Sequence, residues 1–418
     1  MKASFISIAL TSTVLTLATA GAALADSQTI NQTSRTNSVS IQQVYNNAGI
    51  PSAAPNIATV NQNGLYNRVS GTQFGNQNVV SLTQKYGNSN SIAFSQNGGD
   101  NTIQATQQGF SNSLNVVKQQ GYGNTVASTQ IDDANTATTS QIGNDNGITV
   151  QQTGDVNSVN VAQNGGGNFV SAKQSGFNNS FSAPTVFGYG NSVNSVQGGN
   201  SNKATAYVSG NDNAVSVSQV GVNNQASVNI GSQGSSAGNN KVDIAQNNTT
   251  GAKATVSVIG NSNSASVAQT YGYNSKAAIK INGTQNTASV TSNGGYDTAE
   301  INLLSNYSNA TIQQTGYLVS GANNAAINVS GQGSARAAII QKGFGNTGQI
   351  TDSGFSNSTT LTQNSNYAQA NITQAGNYNA VNVTQGYASR AAVTFSPTTS
   401  GQTYSVVQPA YSSITVTR

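Results

Sequence analysis

One 11-residue pattern recurs along most of this chain of 418 residues and limits what the chain can fold into. Each copy reads Asn-x-apolar-x-apolar-x-Gln-x-Gly-x-x, as in the segment that runs from Asn157 to Gly167. About thirty copies, some degenerate and some spaced by 12 residues, cover nearly all of residues 56–395. A repeat this short predicts a stack of small units, because one unit alone cannot bury a hydrophobic core.

Each copy predicts one β-strand followed by a turn. Side chains alternate between apolar and polar from Asn157 to Gln163, which is the period of a strand of about six residues. The glycine that follows supplies a positive φ where the chain must reverse. The predicted fold is therefore all-β: a parallel β-solenoid of about thirty 11-residue strand-turn units, with two strands per coil. The period alone leaves open a coil of three strands.

Asn, Gln and Gly recur with the same period and phase, and the Asn and Gln side chains point to one side of each strand. The amides at the two ends of a strand are costly to bury unpaired, so we expect them to form ladders with their copies in neighbouring coils. The predicted ladder residues are Gln96, Asn101, Gln107, Gln130, Asn135, Gln141, Asn146, Gln152, Asn157, Gln163, Asn168, Gln174 and Asn179. The predicted turn glycines are Gly98, Gly109, Gly143, Gly154, Gly165 and Gly176.

The composition excludes most enzyme chemistry. The chain has no His and no Cys, which removes His-based triads, thiolate nucleophiles and the usual zinc ligands. The closest pair of carboxylates, Asp132 and Asp133, belongs to adjacent residues whose side chains point apart. We expect no enzyme activity, no metal and no cofactor. The formal net charge of +4 is spread along the sequence, so we expect no nucleic-acid partner.

The N-terminal segment 1–25 has the pattern of a secretory signal peptide. Lys2 precedes a run of apolar and small residues, and a small-residue cleavage site places the cut between Ala25 and Asp26. Residues 26–55 then form an N-terminal segment with a partial repeat and a loop, and residues 396–418 a C-terminal tail or cap. We expect a secreted protein without disulfides.

The repeat resembles the curlin repeat of curli fibre subunits. The resemblance rests on the spacing Gln-x-Gly-x-x-Asn-x-apolar-x-apolar-x-Gln, found from Gln96 to Gln107 and from Gln152 to Gln163. It implies a two-stranded β-solenoid that polymerises on the bacterial surface into functional amyloid, for adhesion and biofilm matrix. It also implies export through an outer-membrane pore and a nucleator subunit as a partner. The chain departs from the family by its larger number of copies, which leaves the class of subunit open.

The expected function is that of a secreted structural subunit whose main partner is a second copy of itself. The alternative is a solitary secreted β-solenoid adhesin or binding module that does not polymerise. Aromatic residues that follow the turn glycines are either an adhesive or lateral contact surface or simple turn packing; they are Phe110, Tyr122, Phe177, Tyr189, Phe344 and Phe355. Acidic turn residues are expected to discourage premature edge pairing; they are Asp132, Asp133, Asp145, Asp155 and Asp212.

Overall fold

A computed structural model of the chain describes residues 6–9, 15–19, 26–34, 36–45, 54–231, 237–316, 322–330, 333–386, 392–396, 398–408 and 414–417. In these ranges the regular secondary structure is β-strand, and no helix occurs. The chain divides into two compact units, residues 1–201 and residues 202–418. The boundary falls between two repeat copies, because Asn202 opens a new copy directly after Ser201.

Unit 1 contains 17 described strands, most of them six to ten residues long. They are β1 (Ile6–Ala9), β2 (Leu15–Thr19), β3 (Ser27–Gln32), β4 (Ser38–Tyr45), β5 (Ile57–Gln62), β6 (Arg68–Asn76), β7 (Val79–Lys85), β8 (Ser91–Gly99), β9 (Thr102–Gln108), β10 (Ser113–Tyr122), β11 (Thr125–Ile131), β12 (Thr136–Asn144), β13 (Gly147–Thr153), β14 (Ser158–Gly166), β15 (Phe169–Phe177), β16 (Ser180–Tyr189) and β17 (Ser192–Asn200).

Unit 2 has the same organisation over its described residues. Its strands are β18 (Lys203–Asn211), β19 (Ala214–Val222), β20 (Gln225–Ile230), β21 (Ala237–Gly238), β22 (Lys241–Thr250), β23 (Lys253–Ile259), β24 (Ser264–Thr270), β25 (Lys276–Asn282), β26 (Thr287–Asn293), β27 (Thr298–Leu304), β28 (Asn309–Thr315), β29 (Asn324–Ser330), β30 (Arg336–Lys342), β31 (Thr347–Ser353), β32 (Ser358–Gln363), β33 (Gln369–Ala375), β34 (Ala380–Gln385), β35 (Ala392–Ser396), β36 (Thr403–Gln408) and β37 (Ile414–Thr417).

The two strands of each coil belong to two different parallel sheets. In unit 1 the odd-numbered strands pair with one another and the even-numbered strands do the same, as in β11 with β13 and β12 with β14. Gln130 therefore lies beside Gln152, and Gln141 beside Gln163, one coil apart in the stack. This pairing confirms the predicted β-solenoid with two strands per coil.

Unit 2 follows the same rule, with one sheet that contains β19, β22 and β24 and a second that contains β18, β20 and β23. Several of its coils are longer than the coils of 22 or 23 residues that follow residue 56 in unit 1, because more residues separate their strands; the first coil of unit 1 is also long, since Gln32 bonds to Gln62. Gln219 pairs with Gln246, for example, 27 residues further along. At the C-terminus β36 pairs with β34 and β37 with β35, so the two sheets continue beyond residue 396.

The core of each coil is thin, because a strand turns only two or three side chains inward. In β14 these are Val159, Val161 and Gln163, at most 2% exposed, and the residues that alternate with them face outward. Where one inward side chain is missing, a neighbour replaces its volume. Gly71 leaves a gap in β6 that the ring of Phe94 in β8 fills, since a Cβ at Gly71 would lie 2.3 Å from that ring.

Two residues in most turns have positive φ. The six predicted turn glycines have φ between +93° and +126°. At Gly154 an added Cβ would also lie 2.3 Å from the carbonyl oxygen of Gly176, so stacking and backbone conformation both require glycine. The second residue directly precedes the inward Asn and has φ near +55°, as in Val156 before Asn157 and Asp145 before Asn146. The repeat pattern did not reveal this second position.

The strand pairing also shows one irregular strand and the ends of the repeat. Pro184 is exposed and lies at a bulge in β16, as a residue without an N–H requires. Strands β3 and β4 pair with β5 and β6, so residues 27–32 and 38–45 are part of the solenoid. Of the predicted signal peptide, residues 6–9 and 15–19 form β1 and β2, while Ala25 lies outside the described residues. The cleavage site stays a prediction.

Candidate functional site

Inward glutamines form two continuous ladders in unit 1. In each ladder the Nε2 of one glutamine donates to the Oε1 of the glutamine in the next coil, at 2.6–3.0 Å. One sheet holds Gln32, Gln62, Gln84, Gln107, Gln130, Gln152, Gln174 and Gln197, and the other holds Gln43, Gln73, Gln96, Gln119, Gln141 and Gln163. All seven predicted glutamines are in these ladders.

A second hydrogen bond ties each of these ladders to the opposite sheet. The Nε2 of Gln152 donates to the backbone carbonyl of Thr136 at 2.9 Å, and that of Gln174 to the carbonyl of Ser158 at 3.0 Å. Both carbonyls belong to the strand of the other sheet in the same coil. One glutamine side chain therefore holds its rung to the next rung and to its own partner strand.

The inward asparagines fix the turns. Asn135 Oδ1 accepts the backbone N–H of Asn157, and its Nδ2 donates to the carbonyl of Gly154 at 2.7 Å. The Nδ2 of Asn157 donates in turn to the carbonyl of Gly176 at 3.0 Å. The predicted asparagines are completely buried and make these contacts; they are Asn101, Asn135, Asn146, Asn157, Asn168 and Asn179. The asparagine side chain thus both accepts from and donates to the turn of the next coil.

Unit 2 keeps one glutamine column and replaces the other with aliphatic side chains. In the sheet of β19, hydrogen bonds join Gln219, Gln246 and Gln269, and later Gln314, Gln341, Gln363, Gln385 and Gln408. The equivalent position of the other sheet holds Val208, Ile230, Val258, Ile281, Leu303 and Val329, all buried. The change begins in unit 1, where Val186 lies beside Gln163.

Two buried carboxyl groups lie in the ladder positions of unit 2. Asp297 replaces the inward Asn; its Oδ1 accepts the N–H of Asn323 at 3.0 Å and its Oδ2 the hydroxyl of Ser292 at 3.1 Å. Burial raises its pKa above the usual value for Asp. The sequence analysis missed this residue, although its place 11 residues after Asn286 was a usable signal.

Asp352 replaces the inward Gln of β31 and is completely buried. Its Oδ1 accepts the Nδ2 of Asn357 at 2.7 Å, whereas the nearby hydroxyl of Thr359 donates to Gln374. Burial raises its pKa to about 6, and the hydrogen bonds offset only part of that effect. A protonated Asp352 fits a position that a neutral amide occupies elsewhere. Its place 11 residues after Gln341 was again a signal that the sequence analysis did not use.

The turn residues lie at the corners of the coils. The predicted aromatics are 36–66% exposed except Phe344, which is half-buried and contacts Tyr367 edge to face at a ring distance of 5.1 Å. The acidic residues Asp132, Asp133, Asp145, Asp155 and Asp212 are all exposed. Asp133 accepts the N–H of Phe110 at 2.8 Å, and Asp155 and Asp132 accept the N–H groups of Asp133 and Gly154, so three of these carboxylates also bond to turns of neighbouring coils.

No protein-family model matches this chain, and no curated protein is similar to it at a significant level. Among the residues with described positions, His, Cys, Asp and Glu form no group of three that could hold a metal ion. The same part of the chain has no helix long and apolar enough to cross a membrane. The candidate functional feature is the array of ladders, in which each inward Gln presents the same donor and acceptor as the Gln before it.

Proposed function

We propose that this protein is a secreted structural subunit that self-assembles into extracellular, curli-like amyloid fibres for adhesion and biofilm matrix. The observation that carries the proposal is the in-register stacking of parallel rungs, joined by buried amide ladders such as Gln130–Gln152–Gln174. The function is structural and needs no catalytic group.

The ladders support assembly because of what a terminal rung exposes. A strand at the end of a parallel sheet has backbone N–H and C=O groups that pair on one side only, which is a template for another chain. Inward amides add a second requirement for the correct register, since a buried Gln or Asn without its hydrogen-bond partner lowers stability by about 1–3 kcal/mol. An added chain satisfies both sets of groups when its repeat docks in register.

The proposal also covers export and assembly partners. The signal-like pattern of residues 1–25 and the curlin-like spacing favour secretion to the bacterial surface through a dedicated outer-membrane pore. A nucleator subunit would then start fibre growth, and surfaces or matrix components would be the targets of adhesion.

One observation favours the alternative, a solitary adhesin that does not polymerise. The aliphatic column from Val208 to Val329 lacks the amides that select register, so this part of the molecule is a poorer template than unit 1. Growth kinetics separate the two functions. Purified residues 26–418 should show a lag, then thioflavin-T fluorescence that preformed fibres accelerate. A protein that stays monomeric with the circular dichroism of β-sheet would support the adhesin instead.

A further inference from the structure

Folding places three lysines in line on one face of unit 2, two of them on adjacent rungs. Lys203, Lys253 and Lys276 each take the first outward position of their strands, β18, β23 and β25, and all are exposed. The register pairs Lys203 with Gln225, Gln225 with Lys253, and Lys253 with Lys276. We call these four residues the lysine column. The charges are evenly spread in the sequence, but this face shows that they are not evenly spread in the fold.

The lysine column is unfavourable for the free protein. Lys253 and Lys276 are direct neighbours on strands about 4.8 Å apart, and like charges in that arrangement destabilise a sheet. Within the described residues neither forms an ion pair; the one ion pair there joins Lys241 to Asp243 at 3.2 Å. Glu300 is the one acidic side chain exposed on the neighbouring strand β27. A local cost without a compensating partner indicates a site of function.

Unit 2 as a whole carries a net positive charge. Residues 202–418 have nine basic and five acidic side chains, whereas residues 1–201 have six of each. Two of the five acids, Asp297 and Asp352, are buried inside the coils. The outer surface of unit 2 is therefore more basic than the formal charge suggests.

We propose that the lysine column binds a linear acidic polysaccharide, with carboxylates at short, regular intervals, that runs along the stack across the strands. The three lysine ammonium groups of the column are spread along the stack over about 14 Å, which is three strand spacings. Beside it the outward positions of β18, β20 and β23 carry Thr205, Ser227 and Thr255, whose hydroxyls can bond to sugar hydroxyls. This binding does not depend on whether the chain polymerises.

The surface fits a sugar polymer better than a nucleic acid. Proteins that bind single strands combine basic residues with a row of aromatic side chains on which successive bases stack. Near the lysine column the outward aromatic residue of β18 is Tyr207, and its partner positions in the next two strands are Asn229 and Ser257. No row of stacking platforms runs beside the column in these described strands.

The test is binding of monomeric residues 26–418 to polygalacturonate by calorimetry at 50 and 200 mM salt. We expect the double variant Lys253→Gln, Lys276→Gln to bind about tenfold more weakly at low salt, with a shallower salt dependence. The matched control, Lys173→Gln with Lys342→Gln, removes the same charge from two exposed lysines on separate strands and should bind like the wild type.

Thermal unfolding distinguishes a loss of binding from a loss of folding in these variants. The Lys253→Gln, Lys276→Gln variant should unfold at a temperature equal to or above that of the wild type, because it removes repulsion. Equal losses of affinity in both double variants would overturn the proposal, as would tighter binding of single-stranded DNA than of polygalacturonate. Binding of neutral dextran with the affinity of polygalacturonate would also overturn it.

Discussion

Unit 1 and unit 2 fill the same inward positions of their strands with different side chains. Unit 1 places a glutamine ladder in each sheet, and from residue 56 onward successive rungs of a ladder are separated by 22 or 23 in sequence. Unit 2 keeps one ladder and fills the other column with Val, Ile and Leu from Val208 to Val329, and some of its coils contain several residues more. The one glutamine ladder still joins Gln219 to Gln246 across such a long coil.

This difference indicates that the hydrogen bonds of the ladder determine the register between strands of neighbouring coils. The segments that connect the strands vary in length. An aliphatic side chain packs about equally well against any neighbour of similar size, whereas a buried amide needs a partner at one position. Unit 1 is therefore the part specified most strongly by hydrogen bonds. Unit 2 is expected to be more tolerant of insertions.

The largest effect on folding and fibre assembly is expected from a deletion that changes the phase of the repeat in unit 1. Deletion of residues 135–156 removes one full coil and should leave Gln163 beside Gln119, so fibres should still form. The shorter deletion of residues 135–150 is not a whole number of repeat units, so it moves the following strands out of phase and should abolish folding. Circular dichroism and thioflavin-T growth measure both variants. Equal assembly of the two deletions would show that the coil length is wrong.

The next effect is expected from a turn glycine. Gly154→Ala forces a Cβ into a residue at φ +93° and against the Gly176 carbonyl. The combined strain and overpacking should lower the free energy of unfolding by about 2–5 kcal/mol. The matched control is Gly386→Ala, where, apart from its chain neighbours, no heavy atom of the described residues lies within 4 Å of the added Cβ. Urea unfolding of both variants makes the comparison, and similar stabilities would contradict the stacked turn.

Asp352 should make the stability of unit 2 depend on pH. Its pKa is about 6 in the folded protein against an ordinary value of 3.8, so the folded state binds the proton more tightly. The favourable contribution is complete below pH 3.8 and is lost as the pH rises through 6. The loss amounts to about 3 kcal/mol, which is the difference between these two pKa values at about 1.36 kcal/mol per unit.

Asp352→Asn isolates this effect from the other acids, because the amide stays neutral throughout. Urea unfolding at a series of pH values should show the difference between wild type and variant changing mainly between pH 4 and 6. A difference that is constant over this range would mean that Asp352 has an ordinary pKa.

The smallest effect on the free energy of unfolding is expected from replacing inward Gln with Leu in one column, or inward Ile with Gln in the other. Gln152→Leu with Gln163→Leu removes one acceptor each from the amides of Gln130 and Gln141, which keep their backbone acceptors, so the loss is about 0.5–1.5 kcal/mol per hydrogen bond. Ile230→Gln should cost a similar amount, because Val208 and Val258 offer its amide no partner.

Seeded growth rates sharpen this comparison. The Gln152→Leu, Gln163→Leu variant should grow more slowly than the outward control Ser158→Ala with Asn160→Ala, which leaves the ladders intact. Identical growth of these two variants would refute a role for the glutamine ladders in templating.

Much of the fold could be predicted from the sequence because its determinants are local and repeated. The spacing of Gln152 and Gln163 gives the strand and the turn, and it places like residues on adjacent rungs. Features that depend on two different rungs were missed. Phe94 fills the space of Gly71, and Lys253 meets Lys276, only after the register from one coil to the next is known.

The buried carboxyl groups were missed for a different reason. Acidic side chains in turns are the usual solvated case, and Asp297 and Asp352 depart from it because they keep the phase of the ladder. The turn residue before the inward Asn was missed because many residue types adopt its positive φ, from Asp145 to Tyr378.

The most direct test of the central claim is X-ray diffraction from aligned fibres of residues 26–418, grown at neutral pH. The account predicts a reflection at about 4.7–4.8 Å along the fibre axis, from rungs stacked end to end, and one at about 10 Å across it, from the two facing sheets. A solution that stays monomeric under the same conditions, or fibres without the axial reflection, would contradict it.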